Sequence, residues 1–108
     1  MAKLMFSLND LASIIAERAS ATAEKSYTRS LLDKGPKGAA KKFGEEAAEF
    51  VIAAVAEDKS ALRAEAADVL YHLLVVLEAR GAKLADVLAE LQRRTQRSGH
   101  DEKAARAR

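Results

Sequence analysis

Hydrophobic residues along this chain recur every three or four positions, the period of an α-helix, and no segment sustains the alternation of a half-buried strand. A first amphipathic helix is predicted to begin at Ser7, which can cap it, and to end in the small, polar segment 20–26. A short helix is predicted over 28–33, ending at Gly35. The first third of the chain is therefore predicted to be helical.

The segment 35–38, Gly-Pro-Lys-Gly, is the one strong break in this pattern. Pro36 suits the first turn of a following helix, where its missing N–H has no hydrogen-bond partner to lose. That helix is predicted to run to about residue 58. Its buried side is predicted to hold five residues, Phe43, Ala47, Phe50, Val51 and Ala54.

Two further helices complete the pattern. Ser60 is predicted to cap a helix that runs to Arg80, with Gly81 just past its end. This helix is apolar on almost all sides, which in so small a chain favours burial against a second copy. A last helix is predicted over 84–96, facing inward with Leu84, Val87, Leu88 and Leu91. Because the connections are short, we predict an all-α, antiparallel bundle of about four to five helices, completed by homodimerisation.

Composition narrows the class of protein. A length of 108 residues accommodates one domain, predicted over 1–97, with a polar, basic tail over 98–108. The absence of cysteine excludes a disulfide framework, a thiolate metal site and a cysteine nucleophile. Apolar runs such as 73–77 are far shorter than the roughly 20 residues that span a bilayer. We therefore predict a cytoplasmic protein that does not enter the membrane.

Charge is arranged in blocks that the formal net charge of +2 conceals. Residues 25–42 hold six lysines and arginines against Asp33 alone, and residues 92–108 hold six against two acidic residues. Acidic residues concentrate between these two basic blocks. Such a layout suits a phosphate-rich substrate, to which the helix start near Pro36 would also be attractive.

The acidic residues form two helical stripes. Lys42, Glu45, Glu46 and Glu49 fall within a sector about 100° wide on one helix. Glu65, Asp68 and His72 fall within about 60° on the next helix, whose other sides are apolar. Antiparallel packing of these helices would bring two pairs of carboxylates together.

Facing carboxylates need a cation, since like charges about 4 Å apart repel by roughly 4 kcal/mol at an effective dielectric of 20. Ligands that are all oxygen select a hard ion such as Mg²⁺, which commonly binds substrate phosphates as well. Taken singly, the stripes also fit solvated ion pairs, and His72 alone fits a core histidine. Their combination favours metal-assisted hydrolysis of a phosphate compound.

The spacing Glu45-Glu46-x-x-Glu49 followed by Glu65-x-x-Asp68 resembles the signature of the all-α, MazG-like nucleoside triphosphate pyrophosphohydrolases. The flanking segments 26–28, 42–47 and 67–74, and the tail beyond Ser98, closely resemble the phosphoribosyl-ATP pyrophosphatase family of histidine biosynthesis. The resemblance covers about residues 7–106. It implies a homodimeric helical bundle that uses Mg²⁺ to hydrolyse phosphoribosyl-ATP, a nucleotide, to phosphoribosyl-AMP and pyrophosphate.

The resemblance also implies roles for individual residues. The expected Mg²⁺ ligands are Glu46, Glu49, Glu65 and Asp68. Glu45 is expected to be a further ligand or to position the attacking water. Glu45 and Glu49 are the expected catalytic carboxylates. The candidate substrate-binding residues are Lys42, Arg29, Lys34, Lys37, His72 and Arg97. Tyr27 and Tyr71 are packing candidates whose hydroxyls would reach polar partners.

Two other functions fit parts of the sequence. A pyrophosphatase that removes ordinary or damaged nucleoside triphosphates would use the same carboxylates. A basic helical dimer that binds nucleic acid or a partner protein would explain the sequence pI of about 9.0, but it leaves the facing carboxylates unexplained. We therefore expect a small nucleotide as the ligand and no nucleic acid.

Overall fold

A computed structural model describes residues 5–22 and 26–96. Within these ranges the only regular elements are five α-helices, which confirms the all-α prediction. They are α1 (Leu8–Arg18), α2 (Tyr27–Asp33), α3 (Gly35–Ala56), α4 (Lys59–Arg80) and α5 (Leu84–Thr95). The predicted domain boundary at residue 97 and the tail 98–108 lie outside the described residues. No described helix is both long enough and apolar enough to cross a membrane.

Side-chain caps begin three of the helices. The Ser7 hydroxyl accepts from the backbone N–H of Asp10, whose carboxylate accepts from Ser7 in return, so α1 begins in a complete capping box. The predicted cap of α4 at Ser60 is wrong. The Asp58 carboxylate accepts from the N–H of Ala61 at 2.9 Å, because the extended backbone at Asp58 already leads into the first turn.

Two glycines with positive φ mark helix ends. Gly81 (φ 68°) follows α4 in the left-handed region, as predicted, and lets its N–H bond back to the last turn. Gly35 (φ 75°) is the first residue of α3, where its positive φ turns the chain from α2 into the long helix. These two positions set the directions of α3 and α5.

The core is built around the hairpin of α3 and α4, which pack along their length and are joined by two residues. The helix α2 packs on both of them, and α1 packs mainly on α4. The buried apolar cluster joins the first four helices through Ile15, Leu31, Ala39, Leu74 and Val75. The hairpin therefore fixes how the two acidic stripes face each other.

One face of the hairpin remains apolar and exposed. The predicted buried side of α3 is half-buried at Phe43, Ala47 and Phe50 but exposed at Val51 and Ala54. Val55 is 82% exposed, and Leu70 and Leu73 of α4 are also exposed. The prediction for Val51 and Ala54 is wrong within one chain, because α4 and α2 cover only one side of α3. Leu91 of α5 is likewise exposed, whereas Leu84, Val87 and Leu88 are half-buried.

Candidate metal and phosphate site

Three carboxylates converge where α3 and α4 face each other. Glu46 and Glu49 lie one turn apart on α3, and Glu65 lies in the second turn of α4. One oxygen from each lies within 4.8 Å of the others. Glu46 is buried, where a charge is costly unless it is paired, and Lys42 lies 3.1 Å from its Oε1. The hairpin thus brings together three of the four predicted metal ligands.

Among these carboxylates, Glu65 has the least favourable electrostatic environment. Its Oε2 is buried and has no hydrogen-bond partner among the described residues. Burial raises the pKa of Glu65 first, and the neighbouring charges of Glu49, Asp68 and Glu46 raise it further. A divalent cation would remove both penalties, because it pairs with the buried oxygen and neutralises the repulsion. The donor set, entirely carboxylate oxygen, fits Mg²⁺.

Asp68 and Glu45 lie at the margin of the three converging carboxylates. Asp68 is exposed on α4 and does not share the 4.8 Å cluster, but its charge contributes to the raised pKa of Glu65. Glu45 is exposed on α3, and its charge contributes to the raised pKa of Lys42. Both side chains are therefore within electrostatic reach of the site.

Lys42 supplies the positive charge beside the carboxylates. Its ammonium lies 3.1 Å from Glu46 Oε1, one turn away on the same helix. The hydrogen bond and charge of Glu46 raise the pKa of Lys42, with smaller contributions from Tyr27 and Glu45. Lys42 is partly exposed, so its ammonium can exchange Glu46 for a phosphate oxygen.

His72 is buried and held by two hydrogen bonds. Its Nδ1 lies 2.7 Å from the carbonyl oxygen of Asp68, and its Nε2 lies 3.3 Å from the hydroxyl of Tyr27. A carbonyl only accepts, so Nδ1 donates to Asp68, and in the neutral imidazole Nε2 is then the acceptor for the Tyr27 hydroxyl. His72 thus connects α2 to the turn of α4 that carries Asp68.

The remaining predicted cations lie around the start of α3. Arg29 binds Asp33 at 2.7 Å and donates to the carbonyl of Ala19 at 2.6 Å, which ties α2 to the end of α1. Lys34 and Lys37 are exposed in the segment where α2 gives way to α3. Lys34 packs against Gly38, where any Cβ would collide with it. Arg97 lies outside the described residues.

Comparison with known proteins identifies the family of this chain. Residues 8–95 match the Phosphoribosyl-ATP pyrophosphohydrolase family. The chain belongs to this family. It is 56% identical to Phosphoribosyl-ATP pyrophosphatase 1 of Rhodopseudomonas palustris, over 95% of this chain and 96% of the relative. It is 59% identical to the protein of the same name from Bradyrhizobium diazoefficiens, over 94% of this chain and 95% of the relative. It is also 58% identical to Phosphoribosyl-ATP pyrophosphatase of Azorhizobium caulinodans, over 94% and 93%.

Membership of the phosphoribosyl-ATP pyrophosphohydrolase family confirms the resemblance that the sequence motifs indicated. Sequence reasoning did not predict one contact between α2 and α4. The sequence predicts packing roles for Tyr27 and Tyr71. Tyr71 fits this prediction, because its hydroxyl bonds to the fully buried Thr28. Tyr27 instead remains 55% exposed while its hydroxyl is held by His72. No helical periodicity connects residues 27 and 72, so only the three-dimensional structure reveals this contact.

Proposed function

We propose that this chain hydrolyses phosphoribosyl-ATP to phosphoribosyl-AMP and pyrophosphate with Mg²⁺, the second step of histidine biosynthesis. The observation that carries the proposal is the convergence of Glu46, Glu49 and Glu65 around the buried, unpartnered oxygen of Glu65. The names of its relatives specify the substrate. We further propose that the enzyme works in the cytoplasm.

Glu46, Glu49, Glu65 and Asp68 would hold the Mg²⁺. The Asp68 carboxylate, which is exposed beside the three converging carboxylates, would be the fourth ligand, since rotation of an exposed side chain toward a cation costs little. When bound, Mg²⁺ polarises phosphate oxygens and lowers the pKa of a bound water. Glu49 is exposed enough to meet solvent as well as the metal.

The chain's own residues position water and phosphate. Glu45, exposed one residue before Glu46, accepts a proton from the attacking water or orients it. The water oxygen bonds to one phosphorus of the α–β anhydride, and the bridging oxygen leaves with the other phosphate. Lys42 binds a phosphate oxygen in place of Glu46 and balances the charge that develops on the departing group.

Basic residues outside the acidic cluster would bind the rest of the substrate. Lys34 and Lys37 are exposed at the start of α3 and suit the triphosphate or the phosphoribosyl phosphate. Arg29 is paired with Asp33 and would have to be shared between that partner and the substrate. Arg97, which lies outside the described residues, is proposed for the same role.

A pyrophosphate-release assay tests the proposal. We expect phosphoribosyl-ATP to be hydrolysed only when Mg²⁺ is present, and with kcat/KM about a hundredfold or more above that for ATP and other nucleoside triphosphates, because only this substrate would use all the phosphate-binding cations. Equal rates on ordinary triphosphates would instead indicate a general nucleotide pyrophosphatase. DNA binding that persists in EDTA and weakens steeply with salt would indicate a nucleic-acid-binding protein.

The exposed apolar face of α3 and α4 supports a homodimer. Val51, Ile52 and Val55 of α3 and Leu70 and Leu73 of α4 are all exposed. Burying them against a second copy would remove this surface from water, as obligate dimer interfaces do.

Val55→Glu is therefore expected to shift the chain from dimer to monomer in sedimentation analysis, because it places a charge in the interface. Gln92→Glu introduces the same charge at an exposed position of α5 and is expected to leave the dimer intact. A monomeric wild-type chain would contradict the proposal.

A further inference from the structure

Tyr27 has an unusual combination of exposure and fixation. Its side chain is 55% exposed, yet it is held at two places. The hydroxyl bonds to the buried His72 at 3.3 Å. The ring stacks at 15° on the ring of Tyr71, with centroids 6.2 Å apart. An aromatic ring that only fills the core would be covered, so the exposed part of Tyr27 is available to a ligand.

The support beneath Tyr27 is itself rigid. Tyr71 packs edge-on against His72 and bonds through its hydroxyl to Thr28, which is fully buried. The Nδ1–H of His72 donates to the carbonyl of Asp68 at 2.7 Å, which orients the ring so that Nε2 faces the Tyr27 hydroxyl. His72 is 5% exposed. A group so covered is poorly placed to touch a nucleotide, although the sequence made it a substrate-binding candidate.

This assembly adjoins the acidic cluster. His72 bonds to the same turn of α4 that carries Asp68. On the other side, Tyr27 is near enough to Lys42 to raise the pKa of its ammonium, and Lys42 is paired with Glu46. Tyr27 therefore stands near the lysine that would bind phosphate. A nucleotide whose phosphates lie at the carboxylates extends its base away from them.

We propose that the exposed ring face of Tyr27 stacks on the purine base of the nucleotide, and that His72 is a positioning residue that acts through the Tyr27 hydroxyl. The inference rests on the proposed function for the identity of the substrate. Aromatic rings suit this task because every base offers a flat face for stacking. The hydrogen bond of the Tyr27 hydroxyl fixes the ring before the nucleotide binds, which lowers the conformational entropy lost on binding.

A double-mutant cycle tests the role of His72. Tyr27→Phe keeps the ring and removes the hydrogen bond of the hydroxyl. His72→Asn keeps a donor near Nδ1 but lacks an acceptor at Nε2. Each is expected to raise KM for phosphoribosyl-ATP about fivefold, the effect of losing one ordinary hydrogen bond, with kcat little changed. The double variant is expected to match the single variants, because both remove the same interaction. His72→Gln, which offers an acceptor near Nε2, is expected to restore most of the affinity.

A binding measurement tests the role of the ring without requiring activity. In the presence of Mg²⁺, Tyr27→Ala is expected to weaken binding of AMP about thirtyfold by calorimetry, within the range known for aromatic rings that stack on bases. Binding of pyrophosphate, which has no base, is expected to remain unchanged. If the wild-type chain releases no pyrophosphate, the proposed function fails, and the AMP titration still decides this inference.

Several results would overturn the inference. Additive effects of Tyr27→Phe and His72→Asn would show that His72 acts independently of the tyrosine. Failure of AMP to bind the wild-type chain, or equal loss of AMP and pyrophosphate binding in Tyr27→Ala, would show that the ring does not bind a base. A change of sedimenting mass in Tyr27→Ala would assign the exposed ring to an interface between copies instead.

Discussion

Glu49→Gln is expected to abolish pyrophosphate release while the helical fold survives. The loss should be roughly a thousandfold or more, because a metal contributes several kcal/mol to the stabilisation of a phosphoryl transition state and each 1.36 kcal/mol is a factor of ten. Glutamine has the same shape but lacks the charge that a hard cation requires. Because Glu49 is exposed, the substitution leaves the core intact. Pyrophosphate release and far-ultraviolet circular dichroism measure the two effects separately.

Glu57→Gln is the matched control for Glu49→Gln. Glu57 follows the last turn of α3, is exposed, and lies outside the cluster of converging carboxylates. The Glu57→Gln variant carries the same chemical change at the far end of α3 and is expected to retain full activity. Full activity in Glu49→Gln, or in the parallel variant Asp68→Asn, would refute the assignment of that carboxylate as a metal ligand.

Glu65→Gln is expected to separate stability from activity. Activity should fall at least about a hundredfold, since this carboxylate faces Glu46 and Glu49 across the hairpin. The Tm of the metal-free chain should rise, because glutamine removes a charge that is buried among like charges. In wild type, Mg²⁺ should raise Tm, and this stabilisation should be lost in the variant. Calorimetric scans with Mg²⁺ and with EDTA measure the effects on Tm, and the pyrophosphate-release assay measures the loss of activity.

The effect of Glu65 on stability depends on pH in a predictable direction. Its pKa in the folded chain is raised above the ordinary value of 4.5, so the folded state binds this proton more tightly than the unfolded state. The penalty is absent below about pH 4.5 and develops as the pH rises through the raised pKa. The Tm difference between Glu65→Gln and wild type, both in EDTA, should therefore be small below about pH 4.5. It should grow as the pH rises through the raised pKa of Glu65 and be complete above that pKa. A constant difference at every pH would exclude titration of Glu65 as its cause.

Much of the architecture could be predicted because local sequence determines it. The capping box at Ser7, the break near Pro36 and the left-handed Gly81 each depend on a few adjacent residues. The spacing of the carboxylates also predicted their convergence, because α3 and α4 are consecutive helices joined by a short connection. These features need no knowledge of distant contacts.

Features that depend on tertiary contacts could not be predicted in this way. Asp58 and Ser60 are both good caps, and only the path of the chain out of α3 selects Asp58. Arg29 has the chemistry of a phosphate ligand, but the approach of Ala19 gives it a structural partner. Val51 has the right periodicity for a core position, yet one chain leaves it exposed. In each case the outcome depends on the position of a neighbour outside the local segment.

The two-residue connection between α3 and α4 makes the cluster of converging carboxylates sensitive to the length of the chain around it. One residue inserted into the helical part of α3 after Glu49 would rotate everything beyond it by about 100° and shift it by about 1.5 Å. Glu65 would then no longer face Glu46, even if every side chain were retained. The arrangement of the carboxylates therefore depends more on the number of residues between Glu49 and Glu65 than on the identity of those residues.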